Sequence, residues 1–137
     1  ITEDLQIRRL MVEKRLRKGQ GMAKDIVAPV FQGDRNADLL LVSWGSSRGA
    51  VSEAASAIRE GGMRTGTLHF SQVWPLEPGL FLKELMSARL VVSVEGNATG
   101  QFARLIRRET GFHIRELILR YDGLPFTPEY IVKRIKA

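Results

Sequence analysis

The stretch DLLLVSWGSSRGAVSEAASAIREGG, residues 38–62, decides the fold class. It opens with a continuous apolar run, which is typical of a β-strand covered on both faces. Apolar residues then recur with helical spacing at Val51, Ala54, Ala55 and Ile58, and two glycines end this pattern. A buried strand that leads directly into an amphipathic helix is the repeating unit of a parallel α/β sheet.

The same alternation of strand and helix occurs three more times towards the C-terminus. Leu82, Leu85 and Met86 are predicted to face inward from the first of these later helices. The predicted strands lie at 65–73, 90–94 and 116–121. The first predicted helix lies at 78–87, and the second has Phe102, Leu105 and Ile106 inward and ends at Gly111. The last predicted helix has Thr127 as its cap and Pro128 as its first residue. Strands that alternate with helices predict a mainly parallel, three-layer α/β/α fold.

Two segments precede these units. Residues 3–18 have loose helical spacing, and we expect a connecting helix that ends at Gly19 and Gly21. Residues 26–31 favour a strand, but Pro29 confines such a strand to the edge of the sheet because proline cannot donate a backbone hydrogen bond.

The composition indicates one globular domain. Of the 137 residues, 44% are apolar and 26% are charged. We expect a connecting helix and linker over 1–24, followed by one α/β domain over 25–137. The first residue is Ile and a charged helix follows at once, so we expect a piece of a longer polypeptide. No apolar run reaches the roughly 18 residues of a membrane span, so we expect a cytoplasmic protein with no membrane partner.

The absence of cysteine limits the metal chemistry of the chain. Without Cys the chain can form no disulfide, no zinc knuckle and no iron–sulfur cluster held by its own thiolates. His69 and His113 are the only soft metal ligands that remain. We therefore expect no bound transition metal.

Positive charge is concentrated at the two ends. Residues 1–24 carry seven Lys or Arg against three Asp or Glu, and residues 104–137 carry eight against four. Nucleic-acid binding is one interpretation of the clusters KRLRK at 14–18 and RLIRR at 104–108, because such groups contact phosphates. A solvated helix face is the favoured alternative, because both clusters suit helix ends and no aromatic residues are interleaved to stack on bases. We therefore expect no nucleic-acid partner.

Familiar enzyme motifs are absent or misplaced. The chain has no GxxxxGK[ST], and no GxGxxG follows a strand, which argues against classical nucleotide binding. GSSRG matches the G-x-S-x-G pattern of hydrolases with Ser47 as the nucleophile, and Glu95 and His113 follow in the order of a catalytic triad. His113 enters the opposite end of a strand from the other two residues, about 15 Å away for a five-residue strand, so the triad cannot close.

Corner chemistry explains GSSRG without catalysis. Gly45 permits the turn, Ser46 or Ser47 caps the following helix, and Gly49 allows the helix and the strand to approach closely. These roles predict a helix corner at the end of the first buried strand.

A second corner, EGNATGQ, separates another predicted strand from its helix. Gly96 suits the strand exit, Asn97 or Thr99 the helix cap, and Gln101 the first helical turn. Glu95 is a carboxylate at the end of a buried strand, beside exposed helix N–H groups. Either those backbone donors satisfy the carboxylate, or it orients a partner or ligand. If Glu95 or Gln101 is replaced, we expect the result of the second alternative, namely a loss of assembly or turnover.

Four motifs occur in order along the chain: WGSSRGAVSEA (44–54), QVWPL (72–76), VEGNATGQFARLIRRETG (94–111) and RYDGLPFTPEYI (120–131). Together with the basic segment MVEKRLRK, they resemble the C-terminal part of the alpha subunit of 2-oxoacid:ferredoxin oxidoreductases, most closely the 2-oxoglutarate type. The resemblance covers nearly the whole chain.

The resemblance implies a transketolase C-terminal-like fold, with a five-stranded mixed sheet of order 1-3-2-4-5 whose antiparallel edge strand comes from 26–31. The strands at 39–44 and 90–94 would then be neighbours whose chains leave towards opposite faces. Both corners would flank the topological switch point, where open α/β sheets form their crevice. The candidate interface or crevice residues are Gly45, Ser46, Ser47, Glu95, Gly96, Asn97, Thr99, Gly100 and Gln101.

The resemblance also implies what the complex does. Such complexes oxidatively decarboxylate a 2-oxoacid, reduce ferredoxin and form an acyl-CoA, using thiamine diphosphate, magnesium and iron–sulfur clusters. In that family the thiamine diphosphate sites lie on other domains, so we expect no catalytic, cofactor-binding or metal-binding residues on this chain. We expect an assembly domain that contacts other domains and the beta subunit, and that meets ferredoxin and CoA through the complex. The alternative is an anion- or CoA-binding module at the crevice.

Overall fold

A computed structural model describes residues 3–136, and within this range the chain forms five α-helices and five β-strands. In chain order they are α1 (Leu5–Met22), β1 (Val30–Gly33), β2 (Leu39–Trp44), α2 (Arg48–Glu60), β3 (Thr65–Phe70), α3 (Leu82–Ser87), β4 (Leu90–Glu95), α4 (Gln101–Thr110), β5 (Glu116–Leu119) and α5 (Pro128–Lys136). None of the helices in the described range is long and apolar enough to cross a membrane.

The sheet has the strand order β1-β3-β2-β4-β5, which confirms the predicted order. β1 pairs with β3 in antiparallel orientation, and the other three pairs are parallel. β1 lies at the sheet edge as predicted, but the predicted bounds 26–31 are wrong: the strand spans Val30–Gly33 and begins directly after Pro29, which has no N–H to donate to the ladder. The predicted three-layer α/β/α fold is therefore confirmed.

Alternating residues of β2 feed two separate cores, one on each face of the sheet. Leu40 and Val42 pack with the buried residues of α3 and α4, whereas Leu39 and Leu41 pack with those of α2 and α5. All four of these side chains have no exposed surface. A continuous apolar run is what a strand covered on both faces needs, so the run at the start of the 38–62 stretch is explained.

α1 differs from the other helices because none of its residues is buried. Asp4 caps its start by accepting hydrogen bonds from the backbone N–H groups of Gln6 and Ile7 at 2.8 and 3.2 Å. The predicted stop at Gly19 is wrong, since α1 continues through both glycines to Met22. A glycine inside an exposed helix costs only about 1 kcal/mol relative to alanine, so it weakens the helix without ending it.

Four other predictions about element ends or faces are wrong. The helix predicted at 78–87 is divided, because a 3₁₀ turn covers Pro78–Leu80 and α3 begins only at Leu82. β3 ends at Phe70 rather than at 73, because its partner β2 ends at the matching Trp44. β5 ends at Leu119 rather than at 121, because its partner in β4 is the last residue of that strand. Met86 does not face inward: its side chain is 70% exposed, while the neighbouring Leu85 is buried. α3 has six residues, which is too short for apolar spacing to define one face.

Candidate functional site

A cleft lies at the carboxyl ends of β2, β4 and β5. β2 and β4 are neighbours, but α2 packs on one face of the sheet and α4 on the other, so this is the topological switch point. The cleft has a volume of about 680 Å³. Of the nine candidate residues, Ser46, Ser47 and Gly96 line it. The other residues of its wall are Trp44 and a group from the loop after β5, namely Arg120, Tyr121, Gly123, Leu124, Pro125 and Phe126.

The carboxylate of Glu95 is buried at the end of β4, with 1% of the residue exposed. One oxygen accepts hydrogen bonds from Ser93 Oγ and the Ala103 N–H, both at 2.9 Å. The other accepts from Asn97 Nδ2 and the Phe102 N–H, both at 2.8 Å. Backbone donors of the helix therefore satisfy this carboxylate, as the first of the two alternatives has it. A role of Glu95 towards a partner or ligand stays a prediction. Each oxygen of Glu95 already accepts two hydrogen bonds, so the carboxylate has no position left for the histidine of the rejected catalytic triad.

Asn97 supplies the cap at the start of α4. Its Oδ1 accepts hydrogen bonds from the backbone N–H groups of Thr99 at 3.0 Å and Gln101 at 3.2 Å. Thr99 is therefore a donor to the cap rather than the cap itself. Gly100 stands directly before the helix with φ 62°, a left-handed conformation that favours glycine. EGNATGQ is thus a corner built around Glu95 and Asn97, and its contact with another domain stays a prediction.

The GSSRG corner differs from the prediction in two details. Gly45 has φ 61°, so the turn does require glycine there. Ser47 does not cap α2, because its hydroxyl donates backwards to the carbonyl oxygen of Trp44 at 2.8 Å. A Cβ placed on Gly49 would meet no atom within 4 Å, so close packing does not explain that glycine. The first turn of α2 has neither a side-chain cap nor an acidic residue.

The loop after β5 is organised by Arg120, a residue that sequence reasoning missed. Its guanidinium donates to the carboxylate of Asp122 at 3.0 Å and to the carbonyl oxygen of Pro125 at 2.6 Å, and lies 4.7 Å from the ring centroid of Tyr130. Hydrogen bonds from Arg120 and from the Leu124 N–H lower the pKa of Asp122. The motif RYDGLPF contained the signal, because an Arg and an Asp two residues apart come directly before a turn glycine, Gly123.

A buried polar pair lies under the α2 side of the sheet. Ser43 Oγ and His69 Nδ1 are 2.9 Å apart on the neighbouring strands β2 and β3, and His69 is 7% exposed. Burial, together with the positive charge of Arg48, lowers the pKa of His69. Adjacent strands in register place these two residues side by side, so the pair holds the strands together.

The fold belongs to a recognised class. A transketolase from Pichia stipitis matches 79% of this chain with a TM-score of 0.59 and 19% identity, over 17% of its own length. That likeness shows the fold alone: the chain is a transketolase C-terminal-like α/β domain, as predicted. No family model matches the chain.

Sequence relatives define the family more closely. The alpha subunit of 2-oxoacid:ferredoxin oxidoreductase 1 from Aeropyrum pernix is 35% identical over 131 residues, which is 91% of this chain and 20% of that protein. The alpha chain of a probable 2-oxoacid ferredoxin oxidoreductase from Thermoplasma acidophilum is 34% identical with a TM-score of 0.56, and the match covers 80% of this chain and 94% of that one.

A third relative extends the match to α1. The 2-oxoglutarate:ferredoxin oxidoreductase from Magnetococcus marinus, solved with 2-oxoglutarate, coenzyme A and succinyl-CoA bound, matches 98% of this chain with a TM-score of 0.82 and 28% identity, over 24% of its own chain. This chain belongs to the family of 2-oxoacid:ferredoxin oxidoreductase alpha subunits. It spans about a fifth of the length of the curated relatives that it matches.

Proposed function

We propose that this chain is a non-catalytic assembly domain of the alpha subunit of a 2-oxoacid:ferredoxin oxidoreductase, of the 2-oxoglutarate type. The whole enzyme would oxidatively decarboxylate 2-oxoglutarate to succinyl-CoA and reduce ferredoxin in the cytoplasm. The substrate rests on the Magnetococcus marinus relative, whose bound ligands are this substrate and product. Thiamine diphosphate, magnesium and iron–sulfur clusters would lie on other parts of that enzyme.

The observation that carries the assembly role is the exposed apolar surface of α1. Each of its seven large apolar residues is at least 40% exposed: Leu5, Ile7, Leu10, Met11, Val12, Leu16 and Met22. A helix in a soluble protein is stabilised mainly by burying such residues against a core. Nothing within residues 3–136 buries them, so another surface must do so in the assembled enzyme.

The positions of these residues indicate that α1 is covered on two sides. At 100° per residue, Leu5, Val12 and Leu16 lie within about 40° of one another on one side of the helix. Ile7, Leu10 and Met11 lie on the opposite side. A helix with apolar residues on opposite sides suits a position between two packed bodies. We infer that α1 packs against other domains of the same alpha subunit, since the relatives are about five times as long.

Two sets of variants in the whole enzyme test this role. Leu10→Glu combined with Leu16→Glu places one carboxylate on each apolar side, and we expect loss of assembly and of 2-oxoglutarate-dependent ferredoxin reduction. Arg8→Gln combined with Lys24→Gln makes the same change in net charge at exposed positions away from the two apolar sides, one between them and one just after α1, so it should leave assembly and activity intact. Equal behaviour of the two pairs would contradict the assembly role.

The isolated chain provides the complementary test. We expect it to fold, to bind no thiamine diphosphate, and to reduce neither ferredoxin nor a viologen dye with 2-oxoglutarate and CoA. The reasons are the lack of Cys for clusters and of any diphosphate-binding motif in this sequence. Turnover by the pure chain would overturn the non-catalytic role.

A second candidate function is binding of an anion, including CoA, in the switch-point cleft. Its volume of about 680 Å³ falls within the roughly 300–1,000 Å³ of ligand sites, and the uncapped first turn of α2 adjoins it. Protection of the Ser46, Ser47 and Gly96 amides by CoA, in the isolated chain, would favour this function. Unchanged amides at millimolar CoA would exclude it.

A further inference from the structure

A second pocket lies between α4 and the segment that leads into β5, and we call it the arginine pocket. Its volume is about 240 Å³, and its wall includes Thr99, Arg104, Arg107, His113 and Arg115. Arg104 and Arg107 are three residues apart on α4, so they share one face of that helix. Arg115 stands directly before β5. Two consecutive elements, joined by the turn at Gly111, thus bring three arginines to the wall of one concavity.

These three charges have no counter-ion within residues 3–136. Arg104, Arg107 and Arg115 take part in none of the ion pairs of that range, and the pocket wall contains no Asp or Glu. The nearest acidic residues in sequence are otherwise placed. Glu109 pairs with Arg108 at 2.7 Å, and Glu116 is in register with Val92, whose side chain belongs to the core on the other face of the sheet.

We propose that the arginine pocket binds a phosphoryl group. Each guanidinium presents donors in a planar fork that matches two oxygens of a phosphate, and a phosphate has oxygens for several forks at once. Three positive charges around one small pocket repel one another, and a bound dianion removes this repulsion. Thr99 adds a hydroxyl donor to the wall.

The volume of the pocket limits the size of the ligand that it can hold. A volume of about 240 Å³ lies below the roughly 300–1,000 Å³ that hold a drug-sized molecule. The pocket therefore fits a phosphate or a diphosphate, and it does not fit a whole nucleotide. The phosphoryl group comes either from a free anion or from the phosphate end of a larger molecule whose remainder lies outside. The site is separate from the switch-point cleft, with which it shares no wall residue.

The experiment titrates inorganic pyrophosphate into the 137-residue chain at constant ionic strength, with sodium chloride as the matched salt control. We expect chemical-shift changes confined to amides of the pocket, and saturable binding by calorimetry. Arg104→Gln, Arg107→Gln and Arg115→Gln should each weaken binding about tenfold, as for one lost charge-assisted hydrogen bond. The triple variant should not bind. Arg8, Arg15 and Arg17 on α1, replaced together by Gln, give the same change in charge and should leave binding unchanged.

A parallel titration with CoA separates the two sources of the phosphoryl group. Tighter binding of CoA than of pyrophosphate, lost in the triple pocket variant, assigns a phosphate carried on a larger molecule. Equal or weaker binding of CoA assigns a free anion. If neither compound binds the folded chain, the proposal is overturned, and loss of enzyme assembly in the triple variant would then identify the pocket as a protein contact. Equal weakening by the α1 variant would also overturn it, because it would show only general attraction to positive charge.

Discussion

Replacing Glu95 with Gln should destabilise the isolated chain far more than a surface corner would. Glutamine keeps the shape of the side chain but replaces one acceptor oxygen with an NH₂ donor. In either orientation this NH₂ would face a backbone N–H group, that of Phe102 or that of Ala103, which currently lies 2.8 or 2.9 Å from a carboxylate oxygen. Neither backbone donor can turn away, so the substitution leaves at least one buried N–H without an acceptor.

The expected cost follows from these contacts. An unpaired buried donor costs about 1–3 kcal/mol. Removing a negative charge from a helix N-terminus costs a further 0.3–1 kcal/mol or so, and about 2 kcal/mol where the geometry is favourable and partly buried. We therefore expect Glu95→Gln to lower the free energy of unfolding by about 2–4 kcal/mol, within the isolated chain and without any partner.

Urea unfolding followed by far-ultraviolet circular dichroism measures this cost. Ser93→Ala removes one of the four donors but leaves every backbone N–H paired, so it should cost only about 1 kcal/mol. Gln101→Ala changes an exposed side chain and should stay within about 0.5 kcal/mol of the parent. A Glu95→Gln chain as stable as the Gln101→Ala chain would refute the reasoning, because the carboxylate would then not hold the helix.

Three further predictions concern the core, the buried histidine and the surface charges. Phe102→Ala should cost about 3–5 kcal/mol, because Phe102 is 3% exposed and its ring centroid lies 4.8 Å from that of Phe70; a cost below 1 kcal/mol would contradict the packing. The folded chain binds a proton at His69 less readily than the unfolded chain does, so the melting temperature should fall as the pH drops below about 6.5. His69→Asn should reduce this dependence of the melting temperature on pH. An equal dependence in the parent and the variant would show that other groups cause it. Replacing Arg15, Arg17, Arg107 and Arg108 with Gln should leave the melting temperature almost unchanged, since exposed charges contribute below about 1 kcal/mol each. The same four replacements should weaken assembly of the enzyme. Unfolding of this variant would instead place these arginines in an internal network.

The buried strands and long helices could be predicted from local pattern alone. The run from Leu39 to Val42 has no exposed side chain because both faces of β2 are covered, and such a strand admits no polar alternation. Val51, Ala54, Ala55 and Ile58 are all buried because thirteen residues of α2 give the helical spacing enough turns to define a face. The strand order came from the family resemblance, since pairing between strands leaves no local pattern.

The details of the site depend on side-chain contacts that the sequence alone does not display. Sequence reasoning placed Glu95 beside the helix N–H groups, but Ser93 and Asn97 as its other donors depend on which way each side chain turns. Arg120 organises its loop partly through the ring of Tyr130, which α5 brings back to the sheet. The arginine pocket likewise joins α4 to the start of β5 across a glycine-closed turn. In the sequence these three arginines look like scattered basic residues, and only the fold shows that they line one pocket.

Hydrogen exchange at the amides of α1 tests the assembly role most directly. The measurement compares the isolated chain with the same residues in the assembled enzyme. α1 has no buried residue in the isolated chain, so its amides should exchange rapidly there, and contact on both apolar sides should slow them at least tenfold in the enzyme. The amides of β2, which are already buried, serve as the internal reference and should change little. Equally fast exchange of α1 in both samples would contradict the claim that this helix joins the domain to the rest of the enzyme.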